Sequence, residues 1–379
     1  MRSPLPLRAL ALLAAATPAA ADPCAPRGGQ APCLDVDRLW VAPGPSALLT
    51  LPELRPRPAL TWSLGADAGY VHAPLRLRTE APDPAGRELR AVTSVSGAAL
   101  SATLRPTSQL ELGVAQALVV AQEGTGLVGV TRQRGEAPGG AALRDTRLGV
   151  TAVLADRAPP GFGATLALRA EVTLPTGDET RFAGAPAAVF APGLGGELRA
   201  GRVTLATLWG VRLGRQVPLG GQRLGSVAVA SLGVAVDLLP RGALALAAET
   251  WVLPELGAAR RTTAGGGAVT SQVVAAEWLA GPRARRGDWE LAVAGGTALP
   301  FSSETVRDAD GATRSEVFAA PGTPLARVLL RLRFVPGSGI RSGPLPGHAR
   351  GDGAAAPALP RSLRPAGAPP SDQNTRSGT

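Results

Sequence analysis

Between residues 59 and 335 the chain carries short runs in which apolar and polar side chains alternate with period two. One run sets Leu166, Leu168, Ala170, Val172 and Leu174 against Ala167, Arg169, Glu171 and Thr173. Another sets Val328, Leu330, Leu332 and Phe334 against Arg327, Leu329, Arg331 and Arg333. A third sets Leu60, Trp62, Leu64, Ala66 and Tyr70 against Thr61, Ser63, Gly65, Asp67 and Gly69. Successive side chains of a strand point to opposite faces, so this period predicts strands that separate two environments. Strands are predicted at 59–79, 88–104, 109–121, 143–155, 162–175, 191–200, 202–213, 224–237, 243–254, 269–280, 288–298 and 325–335. Segments 224–237 and 269–280 alternate poorly, and in the Ala-rich segment 243–254 Trp251 shares the face of Glu249.

The connections alternate as well. Those after odd segments are longer, including 122–142, 176–190 and 300–323, and those after even segments are short, as at 105–108, 159–161 and Gly201. Short turns at one rim and long loops at the other describe an up-and-down barrel. The predicted fold is therefore all-β: an up-and-down antiparallel transmembrane β-barrel of about 12 strands at residues 59–335, with short periplasmic turns and long extracellular loops. An even strand number places both mature termini on the short-turn side, in the periplasm.

In such a barrel the apolar parity faces lipid and the polar parity faces the lumen. That parity assigns Asp67, Glu111, Glu171, Glu197, Glu249, Glu277 and Glu290 to the lumen, together with Arg147, Arg169, Arg199, Arg202, Arg212, Arg331 and Arg333. Both signs occur, which suggests paired charges and not a single-sign filter. A soluble periplasmic β protein with a polar outer face would alternate equally well, and that alternative stays open here.

Export tips the balance towards the membrane. Residues 1–21 read as a signal peptide, with Arg2 and Arg8, an apolar stretch at 9–16 and Ala19, Ala20 and Ala21 before Asp22. No other apolar run approaches the roughly 18–20 residues of a membrane helix. Residues 22–58 are expected as a periplasmic N-terminal segment. It holds both cysteines, Cys24 and Cys33, which suit a small disulfide loop in an oxidising compartment, and residues 35–58 read as a linker or plug-like lead-in. Residues 336–379 are rich in Gly, Pro, Ala, Ser and Arg and are expected to be a disordered periplasmic tail.

The formal net charge is +10, and every basic residue is arginine. These arginines are dispersed and form no stripe, so nucleic acid is not an expected partner. The expected partners are outer-membrane lipid, small solutes or ions, and an envelope protein. With one Tyr in the chain, Trp62, Trp209, Trp251, Trp278 and Trp289 must supply the aromatic girdles of a membrane barrel.

Catalytic chemistry finds little support. His72 lies near the outer end of the first strand and His348 in the tail, so neither sits beside Ser63 as a hydrolase would require. Two cysteines without neighbouring histidines make no metal site. The Gly-rich stretches at 124–129 and 265–267 lie between strands, where they read as loops. No enzyme activity and no cofactor are expected.

Three stretches carry a resemblance: residues 35–45 (DVDRLWVAPGP), 70–75 (YVHAPL) and 171–178 (EVTLPTGD). Over about residues 35–335 the chain resembles the N-terminal barrel of OmpA-like (TraB-like) outer-membrane proteins of social and predatory soil bacteria. The resemblance implies an outer-membrane barrel. The family's peptidoglycan-binding domain has no counterpart after the barrel, and no functional residues carry over. Two functions follow as expectations: a narrow passive pore for small solutes or ions, or a structural barrel whose loops 122–142, 176–190 and 300–323 contact partners.

Overall fold

The structure is a computed structural model that describes residues 33–79, 87–127, 138–219, 222–257, 259–262, 267–300, 302–307, 313–318 and 323–337. The expected signal peptide, Cys24, much of the loop 122–142 and nearly all of the tail lie outside the described residues.

Twelve antiparallel strands close into one ring. They are β1 (Thr61–Thr79), β2 (Arg87–Arg105), β3 (Leu110–Glu123), β4 (Thr146–Arg157), β5 (Phe162–Leu174) and β6 (Val189–Ala200), then β7 (Val203–Arg212), β8 (Val227–Asp237), β9 (Leu244–Pro254), β10 (Val274–Arg286), β11 (Trp289–Pro300) and β12 (Ala326–Phe334). Each pairs with its sequence neighbours, and β12 returns to β1, with Leu64 opposite Phe334 and His72 opposite Ala326. The predicted strand number and fold class hold.

One boundary moved for a physical reason. Residues 282–287 were expected as a basic connection, yet β10 continues to Arg286. Arg283 keeps the inward parity and pairs with Glu290 at 3.1 Å, so this charge extends the strand instead of ending it. Residues 269–272 leave β10 and join a four-stranded sheet outside the ring, built from Ala259–Thr262, Ala268–Gln272, Ser302–Arg307 and Thr313–Phe318. Val217–Leu219 and Gln222–Leu224 form a further hairpin. Three of the long connections are thus folded. The β1–β2 hairpin also leans over that rim: a bulge at His72–Leu75 bends it, and Leu75, Leu77, Ala91 and Val92 are buried there with Val119 and Phe182.

The ring is apolar outside and charged inside. Leu100, Leu168, Leu232, Leu246, Leu291 and Leu330 all stand exposed on the outer face. Glu197, Glu249, Glu277, Arg327, Arg331 and Arg333 are buried. A soluble barrel would reverse this arrangement, so the soluble periplasmic alternative is set aside: water would meet a continuous belt of leucine and valine. Aromatic residues flank the belt. Trp289 and Trp62 pack on Phe334 at 4.9 and 5.7 Å near the short-turn rim, while Trp209, Trp278, Tyr70 and Phe190 are exposed towards the other. Trp251, expected in a girdle, is instead buried in the lumen beside Glu249, as its parity requires. Leu330→Arg, in the middle of the belt, should cost about 2–4 kcal/mol. The expected result is a fall in folded yield in vesicles, read from heat-modifiable gel mobility; an unchanged yield would contradict the lipid-facing assignment.

One rung of the ring is missing by sequence. Phe190 and Leu213 exchange both backbone bonds, at 2.9 and 2.7 Å, so the next bonded pair towards the short-turn rim is Pro192 with Val211. Proline has no N–H to donate, and Val211 loses a β6 donor at a site where a closed ring offers no edge.

Candidate functional site

The lumen is filled by the segment that precedes β1. An irregular backbone in a low-dielectric interior needs a partner for each N–H and C=O. Here the wall supplies those partners with charged side chains, which form the stronger hydrogen bonds. Residues 33–58 therefore act as a plug, and the expectation of a periplasmic segment is corrected for these residues.

The plug runs the length of the ring. At the long-loop rim Asp35 and Asp37 hold Arg144 at 2.7 and 3.1 Å, Asp37 also holds Arg327 at 2.8 Å, and Arg38 pairs with Glu255 at 2.7 Å. Burial works against the Arg144 charge, but the two aspartates outweigh it and hold its pKa above the usual arginine range. Midway, the Glu249 carboxylate accepts from the backbone of Leu49 and Thr50 and from the Thr50 hydroxyl. Arg331 donates to the carbonyls of Leu49, Ala42 (3.1 Å) and Gly44 (2.8 Å), and Arg333 donates to that of Ala42 at 3.0 Å. Towards the short turns Glu197 accepts from the Leu54 N–H at 2.9 Å, and Arg105 donates to the Arg55 carbonyl at 2.7 Å. Glycines on the inner wall make room: a Cβ at Gly195 would lie 2.7 Å from Leu54 Cδ1, and one at Gly233 would lie 2.9 Å from Leu48 Cδ1.

This path separates the ends of the described chain. Cys33 lies near Asp145, Val217 and Val227 at the long-loop rim, whereas Val335 bonds the Asp288 carbonyl in the β10–β11 turn at 2.8 Å. The mature termini, both expected in the periplasm, lie outside the described residues. Cys33 is buried and is not a free thiol.

The parity-assigned charges divide as follows. Asp67 faces Arg333 (3.4 Å) and Arg331 (3.8 Å), Glu111 holds Arg105 (2.7 Å), and Arg169 holds Glu171 (2.8 Å). Glu277 holds Arg327 (3.0 Å), Glu290 holds Arg283 (3.1 Å), and Arg199 lies between Glu197 (3.2 Å) and Asp156 (3.9 Å). Glu249, Arg147 and Arg212 contact the plug backbone. Arg202 does not join them: it is exposed in the β6–β7 turn beside Gly201, where parity ends with the strand. Arg105, Arg283 and Arg327 were missed as lumen charges. Arg327 shares the parity of Arg331 and could have been found by it; the other two fell in presumed connections.

Between plug and wall lie two small cavities, both partly open to solvent. Leu39, Trp40, Arg212 and Leu253 line both, so the two lie on either side of these residues. Two wall arginines stack on Trp40 of the plug, with Arg212 Cζ 4.0 Å and Arg147 Cζ 5.5 Å from its ring centre. Among the described residues no three His, Cys, Asp or Glu side chains cluster as metal ligands would. Ser63 bonds Thr103 at 2.7 Å near the short-turn rim, far along β1 from His72.

A closed ring of twelve strands with an apolar belt, aromatic flanks and a charged lumen defines an outer-membrane β-barrel. Its fold is similar to that of an outer membrane channel from Pseudomonas putida F1, with a TM-score of 0.51 and 12% identity, covering 75% of this chain and 98% of that one. The NanC porin aligns at a TM-score of 0.38 and 9% identity, over 72% of this chain and 98% of that one. The outer membrane protease OmpT from Escherichia coli aligns at 0.27 and 8% identity, over 75% and 99%. No protein-family model and no curated protein matches the chain.

Proposed function

We propose that the barrel passes small solutes across the outer membrane by a narrow route that the plug constricts. The observation that carries this reading is the pair of cavities between plug and wall, which share Leu39, Trp40, Arg212 and Leu253 as lining. A purely structural barrel would gain nothing from leaving that space. In the orientation we propose, the short turns face the periplasm, the long loops and the Cys33 end of the plug face outward, and the apolar belt contacts lipid. We read the protein as a transporter and not an enzyme, because its buried carboxylates are committed to arginines or to the plug backbone.

The test is planar-bilayer recording of the full mature chain. Small, discrete current steps are the expected result. Verified insertion without current, both in this chain and in one lacking the plug, would overturn the reading. A second reading draws on the four-stranded sheet of the long loops, whose outer strands Ala259–Thr262 and Thr313–Phe318 have edges without a strand partner among the described residues. Such edges are ready templates for another chain, and a partner barrel would then lose its binding when those strands are trimmed while insertion survives.

A further inference from the structure

The charges around the two cavities do not balance, and the imbalance is local. Four carboxylates line the space, and each is engaged. Asp35 and Asp37 hold Arg144, and Glu171 is held by Arg169 at 2.8 Å. Asp145 accepts from the backbone of Gly177 at 2.8 Å and of Ala185 at 2.7 Å. Two lining arginines are different. Arg147 spends one nitrogen on the Val41 carbonyl at 2.9 Å, and Arg212 spends one on the Arg38 carbonyl at 2.8 Å. Neither has a carboxylate within ion-pair distance among the described residues, and Arg147 Nη1 is buried without any hydrogen-bond partner.

A buried cationic N–H without an acceptor costs free energy until one arrives. The Trp40 ring beside the two guanidiniums offsets part of that cost through its face, but an indole face accepts no strong hydrogen bond. The missing partner is an anion. The surroundings limit which anion: Leu39 and Leu253 line both cavities with Arg212, and Trp251 lines one and Val227 the other. A bare inorganic ion would leave that apolar surface unfilled. A neutral apolar molecule would leave the guanidiniums unanswered. A pocket with apolar walls and a few convergent polar groups takes a ligand of matching character.

We infer that the Trp40–Arg147–Arg212 cluster binds a small organic monocarboxylate, its carboxylate on the two arginines and its apolar body along Leu39 and Leu253. This deepens the transport reading and rests on it for its biological purpose. Its chemistry is tested separately, by binding.

The experiment is titration calorimetry of benzoate into the refolded full chain in nanodiscs, with benzyl alcohol and inorganic phosphate as comparison ligands. Benzoate should bind, and benzyl alcohol should bind about ten-fold more weakly or worse. Arg147→Gln and Arg212→Gln should each lower benzoate affinity about ten-fold. Arg157→Gln, an exposed arginine at the end of β4, should leave it unchanged. Equal binding of benzoate and benzyl alcohol, or full affinity in both cavity variants with their gel mobility unchanged, would overturn the inference. So would phosphate competing as well as benzoate. Binding without any bilayer current would retain the site and remove the transport reading; current without benzoate binding would do the reverse.

Discussion

Arg331→Ala is expected to free the plug. The Arg331 guanidinium is 1% exposed and ties together the carbonyls of Ala42, Gly44 and Leu49. Among the described residues no other wall residue holds both arms of the bend that Ala42 and Thr50 close at 2.9 Å. Removing it strands the Gly44 and Leu49 carbonyls, leaves that of Ala42 with Arg333 as its donor and leaves Asp67 with Arg333 alone, a loss on the order of 3–5 kcal/mol. Arg331→Lys should recover only part of this, because one ammonium cannot reach three carbonyls spread across a bend. Limited trypsin digestion reads the outcome directly. Arg38, followed by Leu39, is the tryptic site of the described plug, since Arg55 and Arg57 each precede a proline, and in the folded parent it should resist cleavage. In Arg331→Ala it should be cut while the barrel keeps its folded mobility. Equal resistance in parent and variant would show that the plug does not depend on this anchor.

Excising residues 35–58 is expected to produce the largest change in function. Their removal takes Leu48, Leu49 and Leu54 out of the ring, where they are almost wholly buried. It also leaves Glu197, Glu249, Arg331 and Arg333 facing an open lumen. A ring of twelve strands is wider than the eight-strand case whose interior side chains alone can fill. Water then enters and hydrates the exposed charges, which keeps the ring soluble inside as well as stable outside. Single-channel current should rise several-fold over the parent, and the many arginines facing the lumen should favour anions. An excised chain that inserts with its mobility shift intact but carries no more current than the parent would mean that the plug is not the constriction.

The barrel was legible because its pattern is local. Period-two alternation in segments such as 162–175 and the long/short order of the connections fixed the strand count without knowledge of any contact. Parity also carried Asp67, Glu171, Glu197, Glu249 and Arg331 to the inner face. It failed at Arg202, where a turn residue has no parity, and at Arg283, where a basic cluster imitated a loop. The plug was less legible. Its residues show no period, and what holds it is non-local: Glu249 bonds Leu49 and Thr50 across most of the chain. A signal did exist in the wall itself. Gly195 and Gly233 weaken their strands for no reason internal to a strand, and each lies under a plug leucine. The arginine pair around Trp40 was half visible, since Arg147 and Arg212 were assigned inward while their aromatic partner sat in a segment read as a lead-in.

The plug enters at one rim and joins β1 at the other, and this constrains the order in which the molecule is made. A finished ring has no side opening through which a segment could be laid in. Drawing it lengthwise afterwards would drag Asp35, Asp37 and Arg38 past arginines and glutamates already paired with one another. The segment must therefore be in place while the sheet is still an open, curling ribbon, with β12 not yet zipped onto β1. The N-terminal stretch is then less a stopper fitted to a completed tube than a former around which the ribbon is wound.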